Sequence, residues 1–282
     1  MREYVDITAR TLDEFARNIC VELKRTKLVK LSASDFSKFI PMHDGGAEFE
    51  GTELYILEEL LTEYSLETVP RIRGRFTSLE LDAPLIIFSA HGNFDPKAKN
   101  YRYGLLLVQV AVIFARIDGH IAPSEVSQIE RNIAGLLFLS ERETVELTAQ
   151  ANYFLEVSGS AGGSQQQRDY VRLSLSRDFA LSRMSSLSDA AKSTLIEVAM
   201  SVITSDLISR ECEIQFLQDI YREFDKNARS VRLDLENYTK QHHISMKNEN
   251  LKNTVEIGVL EDIEDLLSGL LSDVDKSYSY AD

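Results

Sequence analysis

The chain has 282 residues and a strongly acidic balance, with 31 lysines and arginines against 45 aspartates and glutamates and a net charge of −14. An acidic surface repels nucleic-acid phosphates, so the composition argues against direct nucleic-acid binding and favours a basic protein partner or a cation. The two cysteines, Cys20 and Cys212, form no CxxC pair, which predicts free thiols and a cytoplasmic protein. No apolar stretch approaches the roughly 20 residues that cross a bilayer, so we expect no membrane span.

Residues 1–103 are predicted to form a helical N-terminal region that ends in an extended connector. Thr11 and Glu14 have the spacing of a capping box, and apolar residues follow them at helical intervals. Thr52 is predicted to cap a later helix of this region. Residues 66–103 contain a short apolar run bounded by proline and glycine, which indicates either short strands or an extended connector.

A segment that occurs twice, at an offset of 88 residues, is the most informative pattern in the chain. The offset pairs Asp118 with Asp206 and Glu125 with Glu213. Each copy has the pattern of an apolar helix, a short acidic turn and an amphipathic helix, which predicts two helix–turn–helix repeats. In the first copy a glycine follows the aspartate and suits a left-handed helix end, whereas a leucine follows it in the second copy.

The paired acidic residues have two interpretations. Asp118 and Glu125, like Asp206 and Glu213, are predicted to lie where one helix ends and the next folds back, so that their carboxylates could share a divalent cation. Alternatively they cap helices, because Asp-Gly is a turn dipeptide and a glutamate in the first helical turn accepts backbone N–H groups. The motif alone favours capping. The metal hypothesis makes these four carboxylates the ligands of calcium, magnesium, manganese or zinc.

Motifs of common enzyme classes are absent from the sequence. There is no GxxxxGK[ST] phosphate loop, no GxSxG elbow, no HExxH pair and no GxGxxG turn. His91 follows an apolar run, as some catalytic loop residues do, but no nucleophile or partner acid stands beside it. We therefore predict no catalytic residues and no enzyme. A hydrolase built around His91 is the least favoured alternative.

The remaining chain is predicted to form a helical domain at 104–236. Its first helix, 104–117, is almost entirely apolar and is predicted to be buried, whereas the glycine- and glutamine-rich stretch 158–167 is predicted to be a flexible loop. A polar linker is predicted at 237–254. It leads to an acidic amphipathic helix at 255–282, whose apolar seam is suited to docking on a partner or on its own domain.

The repeat resembles the TerB family, which is associated with tellurite resistance and general stress. The family pattern is an alanine-rich helix that ends in Ala-Asp-Gly, followed by an aliphatic residue and by a glutamate seven residues after the aspartate. The first copy keeps this pattern at Asp118, Gly119, Ile121 and Glu125. The second copy keeps the acidic pair but lacks the glycine and the aliphatic residue. The resemblance covers about residues 104–225, and the C-terminal helix is similar to the tail of the related TerB C-terminal module.

The resemblance implies a mainly α, cytoplasmic and non-enzymatic scaffold or sensor with a TerB-like helical domain. It implies a subunit of a bacterial stress-response or anti-phage defence complex that binds a protein partner, for example an ATPase from the same operon. It also implicates a divalent metal ion. The alternative is a freestanding metal-binding tellurite-resistance protein. A further hypothesis is that the chain associates into a homo-oligomer.

Overall fold

The computed structural model is mainly helical, as predicted, and describes residues 10–42, 46–72, 78–159, 165–244 and 247–248. These residues all belong to one compact unit, Met1–Glu249. No helix within them is long and apolar enough to cross a membrane. The acidic helix predicted at 255–282 lies outside the described residues.

The N-terminal part combines helices with a small antiparallel sheet. The helices are α1 (Leu12–Thr26), α2 (Ala33–Phe36) and α3 (Gly51–Glu63), and the strands are β1 (Val29–Ser32), β2 (Glu48–Glu50), β3 (Leu66–Val69), β4 (Ser78–Glu80) and β5 (Pro84–Ser89). β5 is the central strand of a three-stranded sheet between β1 and β3, and β2 pairs with β4. Thr11 caps α1 as predicted, because its Oγ1 accepts the N–H of Glu14 at 3.1 Å.

The apolar run in β5 is continuous because the strand separates two hydrophobic clusters. Leu85 and Ile87 point into the N-terminal cluster, and Ile86 and Phe88 point into the cluster of the helical part. Part of the segment 66–103 therefore forms short strands, which was one of the two structures that its sequence indicated. The predicted cap at Thr52 is wrong, since α3 already begins at Gly51 and Glu50 is its N-cap residue.

Eight α-helices follow among the described residues, and the first of them lies at the centre of the helical part. They are α4 (Lys99–Arg116), α5 (Pro123–Ala134), α6 (Glu141–Gly159), α7 (Gln165–Ser174), α8 (Arg177–Ser182), α9 (Asp189–Ile203), α10 (Glu211–Glu223) and α11 (Val231–Gln241). The two-residue strands β6 (Ile208–Ser209) and β7 (Lys247–Asn248) pair in parallel. α5, α6 and α9 pack around α4. Val108, Val112 and Ala115 are buried in α4, as the sequence predicted.

Two polar stretches are more helical than predicted. Within the expected flexible loop 158–167, α7 already begins at Gln165, and Gln167 is fully buried. Within the expected linker 237–254, α11 continues to Gln241. Tertiary packing explains the second difference, because α11 buries its apolar residues against the neighbouring core and carries the helix into polar sequence.

A partly buried ionic network joins the N-terminal sheet to the helical part. The Arg142 side chain on α6 is 4% exposed, and its Nη2 lies 2.8 Å from Oε2 of Glu67 and 3.5 Å from Oε2 of Glu146. Arg71, just after β3, contacts Oε1 of Glu146 at 2.7 Å. The Arg142 guanidinium also lies over the Phe88 ring at 4.6 Å. Two arginines thus neutralise two glutamates, and Arg71 pairs with acids of its own chain.

Candidate functional site at the paired acidic corners

The first acidic turn is a corner between α4 and α5 in which both carboxylates accept backbone hydrogen bonds. The N–H of His120 donates to Oδ1 of Asp118 at 2.9 Å. The N–H of Ala122 donates to Oε2 of Glu125 at 2.6 Å, which is the glutamate half of a capping box. Gly119 has the left-handed φ of 84° that its position predicted. The capping role favoured by the motif is therefore present here.

The second corner, between α9 and α10, repeats these bonds 88 residues later. The N–H of Ile208 donates to Oδ1 of Asp206 at 2.9 Å, and the N–H of Arg210 donates to Oε2 of Glu213 at 2.7 Å. Leu207 takes the place of the glycine and still adopts a left-handed φ of 65°. The two corners thus share one hydrogen-bond pattern although their sequences differ at the glycine.

Arg210 joins the two corners into a single cluster. Its Nε lies 2.8 Å from Oδ2 of Asp118, and its Nη1 lies 2.7 Å from Oδ2 of Asp206. The three side chains are largely buried, so this is a partly desolvated ion triad rather than a surface pair. The offset places Ala122 at the equivalent position of the first corner. One arginine therefore serves both aspartates.

The two glutamates of the cluster are almost fully buried, with 3% of Glu125 and 1% of Glu213 exposed. Burial, and to a smaller extent the negative charges of Asp206 and Asp118, raise the pKa of Glu125 to about 7. The hydrogen bond from the N–H of Ala122 acts in the opposite direction and lowers it. Burial, and to a smaller extent the charge of Asp206, raise the pKa of Glu213 to about 8. The hydrogen bond from the N–H of Arg210 lowers this pKa. Both glutamates are consequently protonated in a large fraction of molecules near neutral pH.

The arrangement of the cluster does not fit a resident divalent cation. One oxygen of each carboxylate accepts a backbone N–H, and Arg210 holds the second oxygen of both aspartates. Within the described ranges, no group of three or more His, Cys, Asp or Glu side chains is placed to hold a metal ion. The guanidinium supplies the positive charge between the aspartates. The metal prediction for Asp118, Glu125, Asp206 and Glu213 stays a prediction, and it requires Arg210 to move away.

Arg210 is the site residue that the sequence interpretation missed. It belongs to no motif, and the family pattern described above specifies no residue at that place. The signal that could have found it is a basic residue three positions before Glu213, directly before a helix that follows an acidic turn. In a repeat whose two acidic corners face each other, such a residue is a natural counter-charge.

The remaining candidate groups do not join into a catalytic arrangement. Cys212 lies beside the cluster, and burial, then the charges of Glu213 and Asp118, raise the pKa of its thiol, so that it is a weak nucleophile. His91 is exposed in the loop after β5, and no described side chain hydrogen-bonds to it. His120 is also exposed at the first corner.

Comparisons of this chain with protein-family models, with curated proteins and with solved structures find no match. The TerB resemblance therefore depends on the residues of the two corners, and membership of that family stays a prediction.

Proposed function

We propose that this chain is a non-enzymatic, TerB-like scaffold or sensor subunit of a bacterial stress-response or anti-phage defence complex in the cytoplasm. The observation that supports this proposal is the pairing of two acidic corners through Arg210. All four carboxylates are engaged in internal hydrogen bonds or ion pairs. Such internal engagement suits a rigid binding scaffold better than a site that turns over a substrate.

The partner we propose is a protein with a basic surface. The net charge of −14 gives the chain a field that attracts positive surfaces and repels nucleic acid. An ATPase encoded in the same operon is the partner class that the resemblance implies. Association of this kind should weaken as salt concentration rises, because exposed charges are screened over about 8–10 Å at physiological ionic strength.

A divalent cation is part of the proposal only as a ligand that displaces Arg210. Oxygen-rich corners suit calcium, magnesium or manganese, but a cation and a guanidinium cannot share the same two aspartate oxygens. Calorimetric titration with calcium, magnesium, manganese and zinc should therefore give tighter binding to Arg210→Ala than to the wild type. Asp118→Ala is the control that removes a ligand. Equal absence of binding in the wild type and in Arg210→Ala would remove the cation from the proposal.

A complementation experiment tests the proposed function. A host strain that lacks the gene is challenged separately with phage and with tellurite, after complementation with the wild type, Arg210→Ala or His91→Ala. The defence subunit predicts phage protection by the wild type and by His91→Ala, and its loss with Arg210→Ala. Protection against tellurite alone would favour the freestanding metal-binding protein instead. Loss of protection with His91→Ala would favour the hydrolase, and no protection in either challenge would overturn the proposal.

A further inference from the structure

A groove of about 600 Å³ lies between α5, α9 and α11. Its polar lining residues include Asn132 of α5 and Ser201 of α9, and the Nδ2 of Asn132 donates to Oγ of Ser201 at 2.9 Å. Its apolar lining residues include Leu136, Leu207 and Ile244. A lining of both polar and apolar residues is similar in composition to a reversible protein–protein interface.

The loop between α5 and α6, beside this groove, presents a leucine to solvent. Leu137 is 95% exposed, and the two residues before it, Gly135 and Leu136, line the groove. The N–H of Leu137 donates to the carbonyl of Gly135 at 3.0 Å, and Nδ2 of Asn100 donates to the carbonyl of Phe138 at 3.2 Å. A single exposed leucine is ordinary, but one on a hydrogen-bonded loop next to a groove with apolar lining residues is well placed for a contact.

The other repeat covers the corresponding space with its own chain. The offset of 88 residues pairs α5 with α10, and α4 with α9. In the other repeat α8 packs against both α4 and α10. Three polar residues that line the open groove have apolar counterparts in the other repeat. Gln128 corresponds to Phe216, Asn132 to Ile220, and Ser201 to Ile113. Polar lining residues tolerate water, so the groove, which is open among the described residues, remains stable when it is empty and suits an occupant that dissociates.

We propose that this groove is a self-association site, in which Leu137 of a second copy of the chain inserts between Leu136 and Leu207. A protruding side chain and a groove that lie side by side on one face can be exchanged between two copies around a two-fold axis. The groove also carries an exposed basic residue, Arg131, and an exposed acidic residue, Glu197. A surface with both charges can pair with a second copy of itself. This self-association is separate from the scaffold role and would hold without it.

Analytical ultracentrifugation of the full chain over about 1–300 µM tests this site. We expect the wild type to show a concentration-dependent monomer–dimer equilibrium. Leu137→Glu should weaken dimerisation at least tenfold, which is about 1.4 kcal/mol or more. Glu197→Trp, which fills the groove from an exposed position, should weaken it as well. Val21→Glu is the matched control, because Val21 is an exposed apolar residue on α1.

The expected set of results is a dimer for the wild type and Val21→Glu, and a weakened dimer for Leu137→Glu and Glu197→Trp. Circular dichroism and thermal melting of each variant establish that it is folded. A wild type that stays monomeric over the whole concentration range overturns the proposal. Dimerisation that persists unchanged in both Leu137→Glu and Glu197→Trp places the contact elsewhere and also overturns it.

Discussion

Gly119 and Leu207 occupy equivalent positions 88 residues apart, and both have a left-handed backbone, with φ values of 84° and 65°. In each corner the N–H of this residue donates to a carbonyl three residues earlier, Arg116 at 2.9 Å and Thr204 at 3.3 Å. In the second corner a leucine stands where the first has its glycine. The turn nevertheless keeps its shape, because the flanking carboxylates accept the same backbone N–H groups in both copies.

Leu207→Gly should stabilise the protein by roughly 0.5–1 kcal/mol, because glycine adopts a left-handed φ without the steric strain of a Cβ atom. The gain is partial, since glycine also adds entropy to the unfolded chain. Urea denaturation followed by circular dichroism measures the free energy of unfolding. Gly119→Ala is the converse control and should destabilise the protein by about 1 kcal/mol. A Cβ atom at position 119 would meet no other atom within 4 Å, so the cost comes from the strained left-handed backbone and not from a steric clash. A Leu207→Gly protein clearly less stable than the wild type would contradict this account.

Glu125 and Glu213 should make stability depend on pH near neutrality. Their pKa values of about 7 and about 8 lie above the ordinary 4.5, so the folded state binds protons more tightly than the unfolded chain. The free energy of unfolding should therefore fall as pH rises from about 5 to about 8 and then level off. Combining Glu125→Gln with Glu213→Gln should flatten this slope and stabilise the protein by on the order of 1–3 kcal/mol at about pH 8.

Denaturation curves at several pH values between about 5.5 and 8.5 measure this slope. Glu141→Gln is the control, because Glu141 is exposed and pairs with the exposed Lys27. It should leave the slope as it is in the wild type. A double glutamine variant that keeps the wild-type slope would show that the two glutamates do not titrate in this range.

Arg142→Met should destabilise the protein by about 3–5 kcal/mol, because it leaves the buried carboxylate of Glu146 with one of its two arginines. The matched control is Lys27→Met, which removes the exposed ion pair with Glu141 and should change stability by less than about 1 kcal/mol. Thermal melting of both variants compares the two effects. Equal small effects would mean that the network does not hold the N-terminal sheet to α6.

Val112→Asp should lower the melting temperature by many degrees or prevent folding, because it places an unpaired charge inside α4, where Val112 is fully buried. Val21→Asp, at an exposed position of α1, is the control and should change it little. If Val112→Asp melts within about a degree of the wild type, the central placement of α4 is wrong.

Local pattern was sufficient to predict the helical class, the burial of α4 and the carboxylate caps of the first corner. These features depend on residues a few positions apart, such as Glu125 and the N–H of Ala122. The pairing of Asp118 with Arg210 could not be read in this way, because it depends on how two hairpins pack against each other. Likewise, the helical start of α7 and the end of α11 come from burial against distant residues, which outweighs their polar composition.

The most direct test of the account is a double-mutant cycle between Asp118 and Arg210, since that ion pair joins the two corners. Urea denaturation gives the free energy of unfolding of Asp118→Asn, Arg210→Met and the double variant. The account predicts a coupling energy of about 1 kcal/mol or more, because Arg210→Met leaves the largely buried Asp118 carboxylate without its cation, whereas Asp118→Asn removes that charge and leaves Arg210 paired with Asp206. Asp118→Asn combined with Arg222→Met, whose arginine pairs with Asp219 on the surface, should be additive. Additivity of the Asp118 and Arg210 substitutions within about 0.5 kcal/mol would contradict the claim that the two corners form one site.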